Sequence, residues 1–126
     1  TFTADLAGVY VAALIVSDGK AKSTLATTTV TANTAPVANA GTTQTVAVAA
    51  VVTLDGTSSS DPNSDTLIYK WVMTTRPTGS TATLSSASAA KPTFTADVAG
   101  IYVMTLVVND GKVDSSNTST VAIRAS

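Results

Sequence analysis

Residues 93–112 read TFTADVAGIYVMTLVVNDGK, and the run IYVMTLVV at 101–108 decides the fold. Alternation along this run places four side chains on one face: Tyr102, Met104, Leu106 and Val108. A period of two is typical of a β-strand with one buried side. Asn109-Asp110-Gly111 follows and is typical of a tight hairpin turn. The stretch therefore predicts a long strand that packs one face on a core and then turns back.

Residues 67–74, LIYKWVMT, show the same alternation and place Trp71 on the inward face. Thr and Val, which favour strands because they are β-branched, number 24 and 16. Five further segments are also predicted as strands: 43–48, 51–55, 81–84, 92–95 and 113–123. This pattern predicts an all-β sandwich of two sheets. We expect four core residues in particular: Trp71, Tyr102, Met104 and Leu106.

The deciding stretch has a near copy at residues 1–20, which read TFTADLAGVYVAALIVSDGK. Fourteen of the 20 positions are identical at an offset of 92, from residue 1 to residue 93. We therefore expect a tandem repeat of about 92 residues. Residues 1–32 are then the C-terminal strands of a preceding repeat, 33–36 a linker, and 37–126 a complete domain.

The composition excludes much chemistry, because the chain has no His, no Cys and no Glu. It therefore lacks an imidazole base, a thiol nucleophile and a zinc-thiolate site. The seven Lys and Arg are scattered and the net charge is −1, which argues against a nucleic-acid partner. No apolar run approaches the ~20 residues of a membrane helix, so no membrane span is expected in this chain. We predict that the chain is not an enzyme.

Asp61, Asn63 and Asp65 alternate as the first three ligands of a calcium loop do. The EF-hand pattern fails, however, because Thr66 and Val72 stand where that motif has Gly and Glu. Two interpretations stay open at this point. One is a weak Ca²⁺ site with a Kd on the order of 10⁻⁴–10⁻³ M. The other is a turn held by side-chain hydrogen bonds. No other cofactor is predicted.

The motifs taken together resemble a bacterial PKD-type domain (polycystic kidney disease repeat) of the REJ/KIAA0319-like subgroup. The resemblance covers residues 35–123, with 1–32 as a second, partial copy. It rests on these motifs: Ala35-Pro36-Val37-Ala38-Asn39-Ala40-Gly41, Val52-Thr53-Leu54-Asp55-Gly56-Thr57-Ser58-Ser59-Ser60-Asp61-Pro62, Tyr69-Lys70-Trp71, Pro77-Thr78-Gly79-Ser80, Pro92-Thr93-Phe94, Ala99-Gly100-Ile101-Tyr102 and Asn109-Asp110-Gly111. The better-known PKD signature Trp-Asp-Phe-Gly-Asp-Gly is replaced here by Trp71-Val72-Met73-Thr74-Thr75.

The resemblance implies an extracellular or cell-surface, non-catalytic immunoglobulin-like module in a tandem array. Asp97 to Tyr102 also resembles the tyrosine corner of immunoglobulin-like domains, in which the Tyr hydroxyl bonds to the backbone upstream. The spacing is one residue longer than in antibodies. Tyr102 is therefore either a corner residue or only a half-buried core aromatic.

The expected function is a structural repeat of a surface stalk, an adhesin or a self-assembling fibre. The alternatives are a module that binds an extracellular glycan or protein, and an accessory domain of a secreted hydrolase. Residues 1–32 hold strands that bury one face only, so they need a second layer. We expect another copy of the chain to supply it by strand exchange, in a homodimer or a head-to-tail fibre.

Overall fold

The computed structural model describes residues 1–23 and 25–126, and over these residues the chain is all β without a helix. Among the described residues, no helix is long and apolar enough to cross a membrane. The chain divides into two compact units, Thr1–Thr34 and Ala35–Ser126.

The unit Thr1–Thr34 contains a β-hairpin, which we call the first hairpin. Its strands are β1 (Gly8–Leu14) and β2 (Ala26–Ala32). They pair antiparallel, with Gly8 opposite Ala32 and Leu14 opposite Ala26. The residues of β1 are apolar or small throughout, and in a pleated ribbon their successive side chains lie on opposite faces.

The unit Ala35–Ser126 is a sandwich of two sheets. Its described strands are β3 (Gln44–Val46), β4 (Val51–Thr53), β5 (Ile68–Thr75), β6 (Thr93–Thr95), β7 (Gly100–Asn109) and β8 (Ser119–Ala125). One sheet has the order β3-β8-β7-β5, and the other pairs β4 with β6. The β3–β8 pair is parallel, and the other pairs are antiparallel. We call residues 35–96 the front segment and β7–β8 the rear hairpin.

The core lies between these two sheets. Four alternate residues of β7 are fully buried: Tyr102, Met104, Leu106 and Val108. Trp71 of β5 is 2% exposed, and its indole N–H donates to the carbonyl of Ala89 at 3.0 Å. Phe94 of β6 packs on the Tyr102 ring with 5.2 Å between centroids. The all-β sandwich predicted from the alternation is therefore confirmed.

Residues 81–84 were predicted as a strand, and this prediction was wrong. They form no strand, because side chains bond to their backbone. The N–H of Thr81 donates to Asp97 Oδ2 at 2.8 Å, and the carbonyl of Ala82 accepts Arg76 Nη1 at 3.1 Å. Alternation alone cannot show that such side chains will compete with a strand ladder.

The last strand was predicted over 113–123 and instead begins at Ser119. Asp110 Oδ1 accepts the N–H groups of Lys112 and Val113, both at 2.8 Å, and so closes a local turn. The N–H of Ser115 then bonds to the carbonyl of Val108 at 2.6 Å. The connection is consequently wider than the tight hairpin turn that the Asn-Asp-Gly sequence predicted.

Replacing Trp71 with Ala should destabilise the unit Ala35–Ser126 by roughly 3–5 kcal/mol, because it removes a large buried side chain and leaves a cavity. That is a large share of the ~5–15 kcal/mol typical of a domain. The matched control is Val72→Ala on the outer face, where Val72 is 47% exposed. It should cost less than about 0.5 kcal/mol. Urea unfolding measures both, and equal midpoints for the two variants would contradict the packing.

Candidate functional site

The hydroxyl of Tyr102 ties the start of β7 to the chain before it. It accepts the N–H of Val98 at 3.0 Å and lies 2.8 Å from the Val98 carbonyl. Asp97 Oδ1 lies 2.9 Å from the same hydroxyl. The corner hydrogen bond is thus present despite the longer spacing, and the ring of Tyr102 is also fully buried.

Asp97 lies at the centre of a small polar cluster. Its carboxylate accepts hydrogen bonds from the Ser80 hydroxyl, the Thr81 N–H and the Tyr102 hydroxyl. These donors favour the charged form, so they hold the pKa of Asp97 far below its ordinary value, with the Ser80 bond contributing most. A carboxylate that stays ionised and fully bonded is suited to fastening the loop 77–82 to β7. It is not suited to accepting a proton as a general base.

The loop 61–65 is a turn built around Asp61. Asp61 Oδ1 accepts the N–H groups of Asn63 and Asp65, each at 2.9 Å. The Asp61 carbonyl accepts the N–H of Ser64 at 3.0 Å, and Ser64 has a φ of 61°. Bonds from an Asp side chain to the backbone two residues on define an Asx turn. The turn interpretation therefore describes the backbone of this loop.

The same loop contributes to a cluster of three carboxylates. Oxygens of Asp61, Asp65 and Asp110 lie within 4.8 Å of one another. Asp110 is 6% exposed, and Asp61 Oδ2 is buried without a hydrogen-bond partner among the described residues. Asn63 was predicted as a metal ligand, and its backbone N–H donates to Asp61 Oδ1 in this turn. Sequence reasoning missed Asp110, which follows β7 and was assigned only to a turn.

Lys112 supplies the positive charge at this cluster. Its Nζ lies 3.0 Å from Asp65 Oδ2, and this bond raises the pKa of Lys112. Hard cations such as Ca²⁺ take six to eight oxygen ligands, so three carboxylates give only part of a coordination shell. A Ca²⁺ ion here would compete with the ammonium of Lys112. Binding of calcium through Asp61, Asn63 and Asp65 stays a prediction.

The chain matches the family described as K319L-like, PKD domain over residues 40–123, and it belongs to that family. PKD domains are typically non-catalytic modules and are commonly extracellular. A search of curated proteins finds no match.

Solved structures that resemble the chain include the following two. One is the PKD domain from KIAA 1837 protein, in solution: TM-score 0.54 and 30% identity, covering 75% of this chain and 92% of that one. The other is a nucleoside hydrolase-related hypothetical protein from Saccharophagus degradans that is associated with carbohydrate metabolism: TM-score 0.59 and 23% identity, covering 76% of this chain. The chain spans only 26% of that second protein, and the likeness shows a shared fold.

If the loop binds Ca²⁺ with a Kd near 10⁻³ M, Ca²⁺ at about ten times that concentration should raise the melting temperature by roughly 5–10 °C relative to EDTA. Asp61→Asn should remove that response. The variant keeps an acceptor oxygen for the turn and replaces the unpartnered carboxylate oxygen with an amide. Asp55→Asn, in a carboxylate paired with Lys91, is the control and should keep the response. An unchanged melting temperature of the parent chain in Ca²⁺ would leave the turn as the only role of this loop.

Proposed function

We propose that the chain is a non-catalytic, extracellular structural repeat, a link in a surface stalk, an adhesin or a self-assembling fibre. Membership of the PKD family supports an extracellular, non-catalytic module. The proposal of a load-bearing link rests on one observation, namely how the two ends of the unit Ala35–Ser126 are joined.

The first and last strands of this unit lie side by side and parallel. Gln44 pairs with Ile123 and Val46 with Ala125. Tension applied at the two ends pulls parallel neighbours in opposite directions along their axes. The hydrogen bonds between them are then loaded together in shear, and they must break together rather than one after another. This arrangement suits a module that carries tension.

Side chains extend this connection toward the N-terminal end of the unit. Asn117 accepts the N–H of Ala38 at 2.9 Å and donates to the Ala38 carbonyl at 3.0 Å. The hydroxyl of Ser119 accepts the N–H of Ala40 at 2.9 Å. Segment 36–40 is therefore fastened to the rear hairpin before β3 begins. We call these contacts the Asn117–Ser119 clamp.

A module that binds a glycan or protein is the second candidate. It is favoured by an open hollow of about 370 Å³ between the end of β5 and segment 82–84. Arg76 lines this hollow and is the charged residue in it. A glycan-array signal of the parent chain that is lost in Arg76→Ala would show that this hollow binds the glycan. The binding function would then replace the structural proposal if the force measurement below failed.

Single-molecule force spectroscopy on tandem copies of the chain tests the structural proposal. The unit Ala35–Ser126 should unfold in one event that lengthens the chain by roughly 300 Å. Asn117→Ala should lower the unfolding force, because it removes two bonds between the ends of the unit. Asn109→Ala, whose side chain bonds to Asp114 within the β7–β8 connection, is the matched control and should not lower it. Unfolding of the parent unit without a resolvable force would contradict the proposal.

A further inference from the structure

The first hairpin repeats the backbone pairing of the rear hairpin. Tyr10 lies opposite Val30 as Tyr102 lies opposite Ile123. The glycine at the start of each pair matches too, since Gly8 is opposite Ala32 and Gly100 opposite Ala125. The two hairpins therefore have the same register and present equivalent faces.

The internal hydrogen bonds of the two hairpins also match. The hydroxyl of Tyr10 accepts the Leu6 N–H at 3.0 Å, as Tyr102 accepts that of Val98. Asp18 Oδ1 accepts the N–H of Lys20 at 2.8 Å, the distance found for Asp110 and Lys112. At these positions the bonds within the first hairpin are thus the same as those within the rear hairpin.

The hairpins differ in what covers one face. Leu14 is 61% exposed, whereas its equivalent Leu106 is fully buried. On the opposite face the difference is small, because Val9 is 64% exposed and Ile101 is 53% exposed. We call the side of the first hairpin that carries Tyr10, Ala12, Leu14 and Val16 the inner face. It is the face that a second layer covers in the rear hairpin.

We propose that the inner face of the first hairpin binds the front segment of another PKD-type repeat, one equivalent to residues 35–96 but not identical to them. This deepens the structural proposal and rests on it, since it identifies the joint between one repeat and the next.

The first hairpin has the same charged residues that contact the front segment in the rear hairpin. Lys20 is equivalent to Lys112, which pairs with Asp65 of the front segment. Asp5 is equivalent to Asp97, which accepts hydrogen bonds from the loop 80–81. A partner with a carboxylate and hydroxyl groups at those positions would satisfy both charges.

The shape of the first hairpin fits the same kind of partner. A Cβ placed on Gly100 would lie 2.7 Å from Cγ of Pro77, which covers it. No described atom lies within 4 Å of the corresponding point at Gly8, so the space beside Gly8 is open. In addition β7 is hydrogen-bonded to β5 as well as to β8, whereas the described pairing of β1 is with β2 alone. The partner can therefore add a strand at the edge of β1.

The front segment of this chain itself is a poorer partner for the first hairpin than for the rear hairpin. Ala12 stands where Met104 fills the core, and a loss of that size leaves a cavity. Ala26 lies opposite Leu14 as Ser119 lies opposite Leu106, so the hydroxyl of the Asn117–Ser119 clamp is missing. The rear hairpin therefore keeps residues 35–96.

The numbers of hairpins and front segments give a second reason why the occupant is another repeat rather than a second copy of the chain. Each copy of the chain has two hairpins and one front segment in its described residues. Every exchange between copies that covers a first hairpin uncovers a rear hairpin. Strand exchange among copies of these described residues therefore leaves one hairpin per copy uncovered, and a front segment from another repeat can cover it.

The test adds a front segment to the full chain. Residues 35–92 are placed directly before residue 1, so that Pro92 precedes Thr1 as it precedes Thr93. The chain has no cysteine, so Leu14→Cys introduces a single thiol on the inner face. Its labelling should slow about a hundredfold or more in the extended chain. Val11→Cys on the outer face is the matched control, since Val11 is 64% exposed and Leu14 61%. Its labelling should change by less than a few-fold.

Ala12→Met in the extended chain fills the space that the front segment of this chain leaves, and it should slow labelling of Leu14→Cys further. Equal labelling of Leu14→Cys with and without the extension, also in the Ala12→Met background, would overturn the proposal. Concentration-dependent protection of Leu14→Cys in the chain without the extension would identify a second copy as the occupant and would also overturn it. Labelling reports on the first hairpin and the unfolding force of the parent chain reports on the unit Ala35–Ser126, so a failure here is distinguishable from a failure of the structural proposal.

Discussion

The structure depends on covering one apolar face of a two-stranded ribbon. A hairpin satisfies its own backbone between two strands, yet its apolar face stays in water unless a second layer packs on it. In the unit Ala35–Ser126 the front segment supplies that layer, with Trp71 in the centre. The chain contains the same ribbon twice, covered once and exposed once. The hydrogen bonds within the two hairpins match, so the hairpins differ in what lies outside them, namely the layer that buries one face and the neighbouring strands β5 and β3.

The front segment is held on the rear hairpin by a few specific contacts, which also connect the ends of the unit. Asp97 fastens loop 80–81, Lys112 meets Asp65, and Asn117 holds Ala38. Each of these contacts joins the front segment to the rear hairpin or to the corner just before it. Asp97 and Lys112 have equivalents in the first hairpin, Asp5 and Lys20, whereas Ala26 stands where Ser119 contributes its hydroxyl to the Asn117–Ser119 clamp. The clamp is therefore the contact that distinguishes the rear hairpin from the first. In the proposed structural function, the same contacts carry tension from one end of the unit to the other.

Much of the fold follows from the sequence because both central strands have a clear period of two. β5 and β7 were predicted to within about two residues, since each buries alternate side chains on a single core. The sequence could not decide the role of Tyr102, because spacing alone does not show which group its hydroxyl bonds to. Strand 81–84 and the start of β8 were wrong because side chains of Asp97 and Asp110 take the backbone bonds there.

The candidate site was predictable only where its residues are neighbours in sequence. Asp61 and Asp65 stand in one loop, and their alternation is visible. Asp110 reaches them through the packing of β7, so no local pattern indicates it. Asn117 fits a glycosylation sequon in the sequence, yet its amide holds Ala38 in the fold. Roles of this kind depend on contacts between distant segments, which periodicity does not report.

Hydrogen–deuterium exchange of the chain, read residue by residue, tests most directly whether cover rather than hydrogen bonding stabilises this ribbon. The amides of Met104 and Leu106 should exchange only through global unfolding of the unit Ala35–Ser126. The equivalent amides of Ala12 and Leu14 should exchange at least about a hundredfold faster, although the two hairpins share one register. Equal protection of the two hairpins in a monomeric chain would contradict this account.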